Sequence, residues 1–393
     1  MKWKSDSEVQ AIVQNFSRRC GARTEGDDWN VFWGHPWNVQ RLFHPDLGTR
    51  LRDDQLVNHF PNHLELTRKD QMVKNVKRWL RERGRDGRRE AFDFVPVTHL
   101  LPADYSLFVE EFRRCPRATW IMKPANAAQG RGIFLVTKLA QLRKWSAGRW
   151  AATKASESYV ISRYVDRPHL VGGRKYDLRL YVLVTSYRPL RVYKHREGFA
   201  RFCTSKYDPS PANLGNPFVH LTNVAVQKRG ADYNQHHGGK WNLRHCRLHV
   251  EATRGRAAAA RLFADMDRLI VDSLRAVQAQ IINDRHCFEC YGYDVLVDDD
   301  LKPWLVEVNA SPSLSATTRA DRVMKLALIR DVLDVVLDEG TAARDRPMRG
   351  AGGFEVLHDE AGERSAAAAA AARPRERGRE EGAREHVSLR LRP

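Results

Sequence analysis

Three oxygen-bearing side chains in a largely apolar stretch could bind a metal ion: Asp294, Glu307 and Asn309. Residues 291–297 alternate and are rich in β-branched and aromatic side chains, and residues 304–308 are mostly apolar, so we expect two strands. Three consecutive aspartates between them predict the turn of a β-hairpin. In a symmetric hairpin Asp294 lies opposite Glu307, and Asn309 shares their face because side chains alternate along a strand.

Two carboxylates in this arrangement need nearby positive charge. Directly opposed residues of a hairpin have Cβ atoms about 5 Å apart, so Asp294 and Glu307 repel each other unless cations lie between them. Carboxylate and amide oxygens are hard ligands that suit Mg²⁺, with substrate phosphates and water completing its octahedron. The alternative is an edge hairpin whose carboxylates are solvated. We favour the metal site because the flanking Tyr293 and Val308 are expected to be buried, and unpaired charges are rarely tolerated beside a core.

A short loop upstream combines glycine with basic residues. Lys123 lies at its base, and Gln129, Gly130 and Arg131 lie inside it, between two strand-like runs. The backbone amides and basic side chains of such a loop can cap phosphates. The spacing matches neither GxxxxGK[ST] nor GxGxxG, so the sequence supports neither a P-loop nor a Rossmann fold. In isolation the same pattern is compatible with an ordinary hairpin turn.

Residues 172–185 predict a strand with one charged face. Lys175, Asp177 and Arg179 alternate with apolar side chains and therefore point to the same side. A strand with two cations on one face presents them to an anion. A solvated strand face has the same pattern, so the strand alone does not decide between an anion-binding face and a solvated one.

Length and composition limit the class of protein. The chain has 393 residues, enough for two or three domains, and its hydrophobic fraction of 42% is that of a globular protein. The N-terminus lacks the apolar core of a signal peptide, and no run of 18 apolar residues predicts a membrane span. We therefore expect a soluble protein of the cytoplasm or cytoskeleton that does not contact membranes.

The formal charge of +18 implies an acidic partner. Charge alone does not choose among nucleic acid, an anionic membrane, ATP and an acidic polypeptide. We find no recognition helix, zinc module or RNP-like aromatic strand, which disfavours nucleic acid. The six cysteines indicate no disulfide framework, and Cys287 and Cys290 lack a matching second pair of zinc ligands.

Helix-like and strand-like segments mix along the chain and predict an α+β fold. Residues 257–282 and 320–337 have the spacing of long amphipathic helices, and the predicted hairpin lies between them. From residue 344 the composition changes to an alanine run and then to alternating arginine, glutamate and glycine. We predict a low-complexity, disordered tail over residues 344–393, with a transient helix as the alternative.

Four segments in this order resemble the tubulin tyrosine ligase-like family. They are KPANAAQGRGIFL from residue 123, GGRKYDLRLYVLV from 172, HLTNVAVQK from 220 and YGYDVLVDDDLKPWLVEVNASPSL from 291. The resemblance covers residues 1–343 and implies an ATP-grasp fold whose lobes clamp ATP. The implied lobes are N-terminal (1–72), central (73–170) and C-terminal with the metal hairpin (171–343). DDQLVNHFPNHLELTRKDQMVKN, from residue 53, is similar to the branch that includes the catalytic subunit of the tubulin polyglutamylase complex.

The resemblance also implies roles for individual residues. Those implied in ATP binding are Lys123, Gln129, Gly130, Arg131, Ser162, Arg163, Tyr164, Val165, Lys175, Tyr176, Asp177, Thr222 and Asn223. Those implied as catalytic are Lys123, Arg179 and Glu307, while Asp294, Glu307 and Asn309 would hold two Mg²⁺ ions. Those implied in substrate binding are Arg201 and Lys240 for free glutamate, and Gln129 and Lys69 for the acceptor tail.

The implied activity is ATP-dependent tubulin polyglutamylation. ATP would phosphorylate the γ-carboxylate of a glutamate in a tubulin C-terminal tail, and free L-glutamate would attack the acyl phosphate through its α-amine. The implied partners are microtubules and polyglutamylase-complex subunits, and the implied locations are the centriole, the ciliary basal body and the axoneme. The alternatives are a glycylase or tyrosine ligase on the same fold, and an inactive relative that binds microtubules. The preference for α- or β-tubulin, and for starting or lengthening chains, stays open.

Overall fold

The computed structural model describes residues 1–85, 93–142, 158–236, 238–341 and 348–372. Helices and strands mix along these segments, as predicted, and the strands form three sheets. Among these residues no helix is long and apolar enough to cross a membrane.

The first sheet is small and has the strand order β2-β1-β3-β4. Its strands are β1 (Lys2–Ser5), β2 (Ala22–Arg23), β3 (Val31–Trp33) and β4 (Leu56–Val57), and they pair in parallel. The helices of this part of the chain are Gln10–Arg19, Pro36–Leu42, Leu64–Thr67 and Lys69–Arg85, with a 3-10 helix at Pro45–Leu47. Trp3 and Phe16 are buried with ring centroids 5.5 Å apart, so the first helix packs directly on β1.

The second sheet is antiparallel and has the strand order β5-β8-β6-β7. Its strands are β5 (Thr98–Leu101), β6 (Trp120–Pro124), β7 (Phe134–Val136) and β8 (Tyr159–Arg163). The helix Tyr105–Arg114 covers it through Phe108, whose ring centroid lies 5.1 Å from that of Trp120. Lys123 and the glycine-containing loop after it therefore project from one end of a packed sheet.

The third sheet, which we call the main sheet, has seven strands. Its central order is β12-β11-β10-β13-β14, with β15 paired to β11 and β9 paired to β10. The strands are β9 (Leu170–Val171), β10 (Arg174–Tyr187), β11 (Leu190–Phe202), β12 (Lys240–Asn242), β13 (Glu289–Val297), β14 (Pro303–Asn309) and β15 (Phe354–Asp359). The remaining helices are Pro217–His220, Val224–Gln227, Leu243–Arg254, Arg256–Val277, Arg319–Glu339 and Glu360–Ala372.

Helices cover both faces of the main sheet. Tyr176, Leu178 and Leu180 belong to the same core cluster as residues of the helix Arg256–Val277. Tyr181 and Leu183, on the opposite face, pack with the helix Arg319–Glu339. Each face needs its own apolar set because side chains alternate along β10.

The prediction of a disordered tail from residue 344 is wrong for residues 354–359. These residues form β15, which pairs antiparallel with β11, and Phe354 is buried with its ring centroid 4.8 Å from that of His195. The helix Glu360–Ala372 follows, and Glu360 Oε2 accepts a hydrogen bond of 2.7 Å from Leu190 N. The rest of the predicted tail, 344–347 and 373–393, lies outside the described residues.

A chain that ends at residue 347 is expected to be less stable than the full chain. The truncation removes β15, leaves part of β11 as an unpaired edge and exposes the pocket of Phe354. Losing one buried phenylalanine costs about 2 kcal/mol, and an unpaired strand edge promotes aggregation. We expect a melting temperature lower by several degrees in differential scanning fluorimetry. A chain that ends at residue 372 is the matched control, and equal melting of all three chains would contradict the structural role of β15.

Candidate active site

The predicted hairpin is present and has the predicted register at its charged end. β13 and β14 pair antiparallel with Asp294 opposite Glu307 and Gly292 opposite Asn309. The Asn309 side-chain amide donates to Gly292 O at 3.2 Å, which orients it beside the two carboxylates. A register shift follows Asp294, so the pairs nearer the turn are displaced by one residue.

Cationic side chains of the protein lie against both carboxylates. Arg179 Nε and Nη2 donate to the two carboxylate oxygens of Asp294 at 2.5 and 3.2 Å, and Arg201 Nη2 lies 2.7 Å from Asp294 Oδ2. Lys69 Nζ lies 3.0 Å from Glu307 Oε2. Burial alone would raise the pKa of Asp294, but the two guanidinium groups outweigh it and hold that pKa well below its usual range.

The charges continue across the neighbouring strands of the main sheet. Asp177 lies opposite Arg201 in the pairing of β10 with β11, and Arg201 lies opposite Lys240 in the pairing of β11 with β12. Arg201 Nε donates to Asp177 Oδ1 at 2.7 Å, and Thr222 Oγ1 donates to Asp177 Oδ2 at 2.7 Å. We call this set the charged face; its members are Asp177, Arg179, Arg201, Lys240, Asp294 and Glu307.

A cavity that we call the central cavity lies between the second sheet and the main sheet. One part of its wall is apolar and includes Ile121, Val160 and Leu305. The predicted site residues that line it are Lys69, Lys123, Gln129, Gly130, Ser162, Arg163, Tyr164, Val165, Lys175, Asp177, Thr222, Asn223, Asp294 and Glu307. The structure therefore brings together residues from segments that are far apart in the sequence.

Two lysines of this cavity are poorly solvated. Desolvation lowers the pKa of Lys123 to about 8, against the opposing attraction of Glu307. Desolvation also lowers the pKa of Lys175 to about 8, and its ammonium donates to Tyr164 Oη at 2.9 Å. An anion brought beside these groups would favour their charged forms.

The loop after β6 has a backbone that favours glycine. Gln129 has a φ of 62° and Gly130 has a φ of 77°, both in the left-handed region. A Cβ on Gly130 would lie 2.9 Å from a methyl group of Val226 and 3.1 Å from Asn223 Oδ1, so the close approach requires glycine. Such a conformation at a non-glycine residue is typical of functional loops. Arg131 is exposed at the tip of this loop.

Tyr176, which was predicted to contribute to ATP binding, has a side chain that lies away from the central cavity. It points to the opposite face of β10 from Lys175 and Asp177, is buried in the core and shares a hydrogen bond of 2.9 Å with His169 Nδ1. The alternation of side chains along a strand explains this placement. The remaining predicted residues, Arg179, Arg201, Lys240 and Asn309, lie beside the cavity on or next to the charged face.

Sequence reasoning missed other residues of this region. His220 Nδ1 lies 2.9 Å from Tyr164 Oη, and the carboxylate of Asp321 lies 3.0 Å from Lys240 Nζ. His220 is the first residue of the segment HLTNVAVQK, and its place there was the available signal. Asp321 and Lys325 have the ordinary spacing of a solvated helical ion pair, so no local pattern placed them at a site.

The predicted metal ligands have suitable chemistry. Their oxygens are hard donors, and two of them are carboxylates held opposite each other in the hairpin. Among the described residues no group of three or more histidine, cysteine, aspartate or glutamate side chains could hold a metal ion. The predicted ligands are two carboxylates and one amide, and the magnesium site stays a prediction that this donor chemistry supports.

Comparison with known proteins gives consistent results. The tubulin-tyrosine ligase family matches residues 49–343. The chain is 47% identical over 389 residues to the probable alpha-tubulin polyglutamylase Ttll1 of Tetrahymena thermophila, covering 93% of this chain and 94% of the relative. It is 41% identical to the probable tubulin polyglutamylase TTLL9 of Bos taurus, covering 85% and 78%. It is 36% identical to the tubulin polyglutamylase TTLL5 of Homo sapiens, covering 82% of this chain but 25% of that protein.

Proposed function

Because the chain belongs to the tubulin-tyrosine ligase family and is a ligase, we propose that it is an ATP-dependent tubulin polyglutamylase. It adds glutamate to the γ-carboxylate of glutamate side chains in tubulin C-terminal tails. The observation that carries this proposal is the charged face beside the central cavity, where Arg179, Arg201 and Lys240 lie close to the paired carboxylates. All three substrates of such a reaction are anions. Among the described residues, the cavity lining adds Lys69, Lys123, Arg163 and Lys175 and no further carboxylate, so the cations of the region outnumber its carboxylates by seven to three.

We assign the chain an ATP-grasp arrangement with lobes at 1–72, 73–170 and 171–343. The central cavity supports this assignment, because strands β6 and β8 line it from one side and β10, β13 and β14 from the other. Its apolar wall suits the adenine ring, with the segment Ser162–Val165 as the hinge. Thr222 and Asn223 then lie on the side of the ribose and phosphates. Lys123, Lys175 and the Gln129–Arg131 loop supply charge and backbone amides to the phosphates.

Asp294, Glu307 and Asn309 would hold Mg²⁺, two ions by the family resemblance, through their side-chain oxygens. When bound, magnesium neutralises negative charge on the phosphates of ATP. Asp294 now accepts hydrogen bonds from Arg179 and Arg201. Binding of a cation there would weaken these contacts and make both guanidinium groups available to anionic substrates.

The reaction has two steps. The γ-carboxylate of the acceptor glutamate attacks the γ-phosphorus of ATP, forming an acyl phosphate and releasing ADP. The α-amine of free glutamate then attacks the acyl carbon, phosphate leaves, the amine loses a proton and an isopeptide bond forms. Lys123 and Arg179 stabilise the charge on the transferring phosphoryl group. The Gln129–Arg131 loop excludes water, which would otherwise hydrolyse the acyl phosphate. No side chain acts as a covalent nucleophile.

The acceptor is a polyanion, and the chain has a matching charge. Tubulin tails are rich in glutamate, and the net charge of the chain is +18. Long-range attraction of this kind speeds encounter and weakens as salt increases. Lys69 and Gln129 lie at the cavity and are the proposed contacts for the tail. We further propose polyglutamylase-complex subunits as partners, and the cytoskeleton of centrioles, basal bodies and axonemes as the location.

The test is incorporation of radiolabelled amino acids into microtubules with ATP and Mg²⁺. We expect glutamate to be incorporated far faster than glycine or tyrosine, by the chain alone or after co-expression with complex subunits. Arg201 and Lys240 are the residues that favour glutamate, since a donor with two carboxylates needs two cations. Preferential incorporation of glycine or tyrosine would replace the proposal with another ligase. Microtubule binding without any incorporation would indicate an inactive relative.

Nucleotide binding is expected to take up protons near pH 8. The pKa values of Lys123 and Lys175 are each lowered to about 8 in the free protein, and bound phosphates raise them again. Affinity for ATP should therefore fall as the pH rises through 8, by up to about tenfold per pH unit for each lysine that must be recharged. Isothermal titration calorimetry in two buffers of different ionisation enthalpy measures the uptake.

Lys194→Met is the matched control for this uptake. Lys194 is a partly buried lysine on the same sheet, but it is paired with Asp267 of the helix Arg256–Val277. The control should keep the proton uptake, and Lys175→Met should reduce it. Equal binding enthalpies in both buffers, with an affinity that does not change between pH 7 and 9, would contradict the prediction.

A further inference from the structure

A buried cluster of three charged groups lies at the β12 end of the charged face. Lys240 Nζ lies 3.0 Å from Asp321 Oδ2, and Lys325 Nζ lies 3.1 Å from Asp321 Oδ1. The side chains of Lys240, Asp321 and Lys325 are 11%, 2% and 4% exposed. One carboxylate is therefore shared between two ammonium groups, and the cluster has a net charge of +1 when both lysines are protonated.

The neighbouring charged groups do not neutralise this net positive charge. Arg179 and Arg201 already pair with Asp294, and Arg201 also pairs with Asp177. Desolvation lowers the pKa of both Lys240 and Lys325, which shows that the positive charge is poorly stabilised by its surroundings. An anion beside the two ammonium groups would reduce the free-energy cost of keeping their charge buried.

The two lysines differ in what they can offer to a ligand. Lys325 Nζ donates to Ser315 O at 2.5 Å and to Asp321 Oδ2 at 3.2 Å, and it lies 3.1 Å from Asp321 Oδ1, so its ammonium is held by groups of the protein. Lys240 Nζ has Asp321 and a long contact of 3.4 Å to Thr317 Oγ1, and it is the more exposed of the two. Lys240 is therefore the group that can bind a ligand, and Lys325 acts through it.

We propose that Lys325 is a positioning residue for the donor amino acid. By sharing Asp321 with Lys240, it leaves on Lys240 positive charge that is not neutralised, and this charge attracts a carboxylate of the donor. The inference rests on the proposed function and deepens it, because it explains why a donor with an additional carboxylate is preferred. Without Lys325 the pair of Lys240 and Asp321 is neutral and has little attraction for an anion.

Capping of the helix explains Asp321 but does not require Lys325. Thr318 is the N-cap of the helix Arg319–Glu339, and its hydroxyl accepts from Asp321 N at 3.2 Å. Asp321 Oδ2 accepts from Thr317 N at 3.0 Å, which completes the helix start. None of these contacts needs a lysine four residues later. A buried lysine that shares a capping carboxylate is costly unless its charge has a use.

Steady-state kinetics of Lys325→Met, Asp321→Asn and the double variant test the proposal in the incorporation assay. Lys325→Met makes the cluster neutral, so KM for glutamate should rise about tenfold while kcat stays within about threefold. Asp321→Asn raises the cluster charge to +2, and KM should not rise. In the double variant the charge of Lys240 is not neutralised and the cluster again has a net charge of +1. KM for glutamate should therefore return to within about threefold of that of the unmodified chain. Rescue by a second substitution is not expected if Lys325 only supports the fold.

Lys194→Met is the control for loss of a partly buried, ion-paired lysine, and its KM for glutamate should not change. ATP-induced thermal stabilisation reports whether each variant is folded. If Lys325→Met is not folded, Lys325→Gln and Lys325→Arg replace it. Of these two, only Lys325→Arg should have the KM for glutamate of the unmodified chain. If the unmodified chain uses glutamate and KM is unchanged in Lys325→Met or Lys325→Gln, the inference alone is overturned. If the double variant shows the same raised KM as Lys325→Met, the charge-sharing argument is also overturned. If the unmodified chain prefers glycine or tyrosine, the proposed function is overturned and the inference with it.

Discussion

Glu307→Gln is expected to reduce the rate of glutamate incorporation by a factor of about 10³ or more. Glutamine keeps the volume of Glu307 and can still accept a hydrogen bond from Lys69, so β14 and its pairing with β13 should be preserved. The substitution removes one of the two carboxylates that face each other in the hairpin. Magnesium binding and the neutralisation of the transferring phosphoryl group depend on that charge.

The rate is measured with radiolabelled glutamate, microtubules, ATP and saturating Mg²⁺. The matched control is Glu355→Gln, which removes a strand carboxylate that pairs with Arg196 on the exposed β15 side of the same sheet. The control should keep nearly full activity. A Glu307→Gln variant with activity within about threefold of the unmodified chain would show that Glu307 is not a metal ligand of the reaction.

The hairpin was predictable because its determinants are local. The turn with Asp298 and Asp299, the apolar flanks and the alternation of side chains lie within about 20 residues of one another. They fix Asp294 opposite Glu307, and the structure has that pair. The register shift after Asp294 was not predictable, since a bulge inserts an extra residue without a distinctive sequence pattern.

The identity of the cations beside the hairpin depends on non-local pairing. The sequence predicted that positive charge must lie between the carboxylates, and we attributed it to metal ions alone. In the structure Arg179 and Arg201 contact Asp294 because β10 lies between β11 and β13. That neighbour relation joins strands separated by about a hundred residues, which no local pattern encodes.

The placements that were not foreseen have the same physical origin. Tyr176 was grouped with Lys175 and Asp177 through the family resemblance, although alternation alone places it on the opposite face. β15 is a short strand in a segment of low complexity, and its partner β11 lies about 160 residues earlier in the chain. Lys325 is distinguished from a solvated lysine only by the packing of its helix against the main sheet.

Glu289→Ala is expected to destabilise the protein strongly and leave the chemistry of the folded molecules nearly unchanged. Glu289 is fully buried; its Oε1 lies 2.9 Å from His59 Nδ1, and its Oε2 accepts from Phe60 N at 3.2 Å. Alanine leaves His59 Nδ1 and Phe60 N without this partner and creates a cavity. Together these changes cost about 3 kcal/mol or more. Differential scanning fluorimetry should show a large fall in melting temperature, and Glu289→Gln should show a smaller one.

Glu289 and Asp294 lie on the same strand, but their side chains lie on opposite faces of the main sheet. They are five positions apart, so Glu289 shares the face of Tyr291 and Tyr293, whereas Asp294 lies on the charged face. Glu289 fixes the segment that follows β4 to the main sheet. When activity is expressed per folded molecule, Glu289→Ala should keep kcat within about threefold. A loss of kcat as large as that of Glu307→Gln, in protein that is still folded, would show that this segment contributes directly to the reaction.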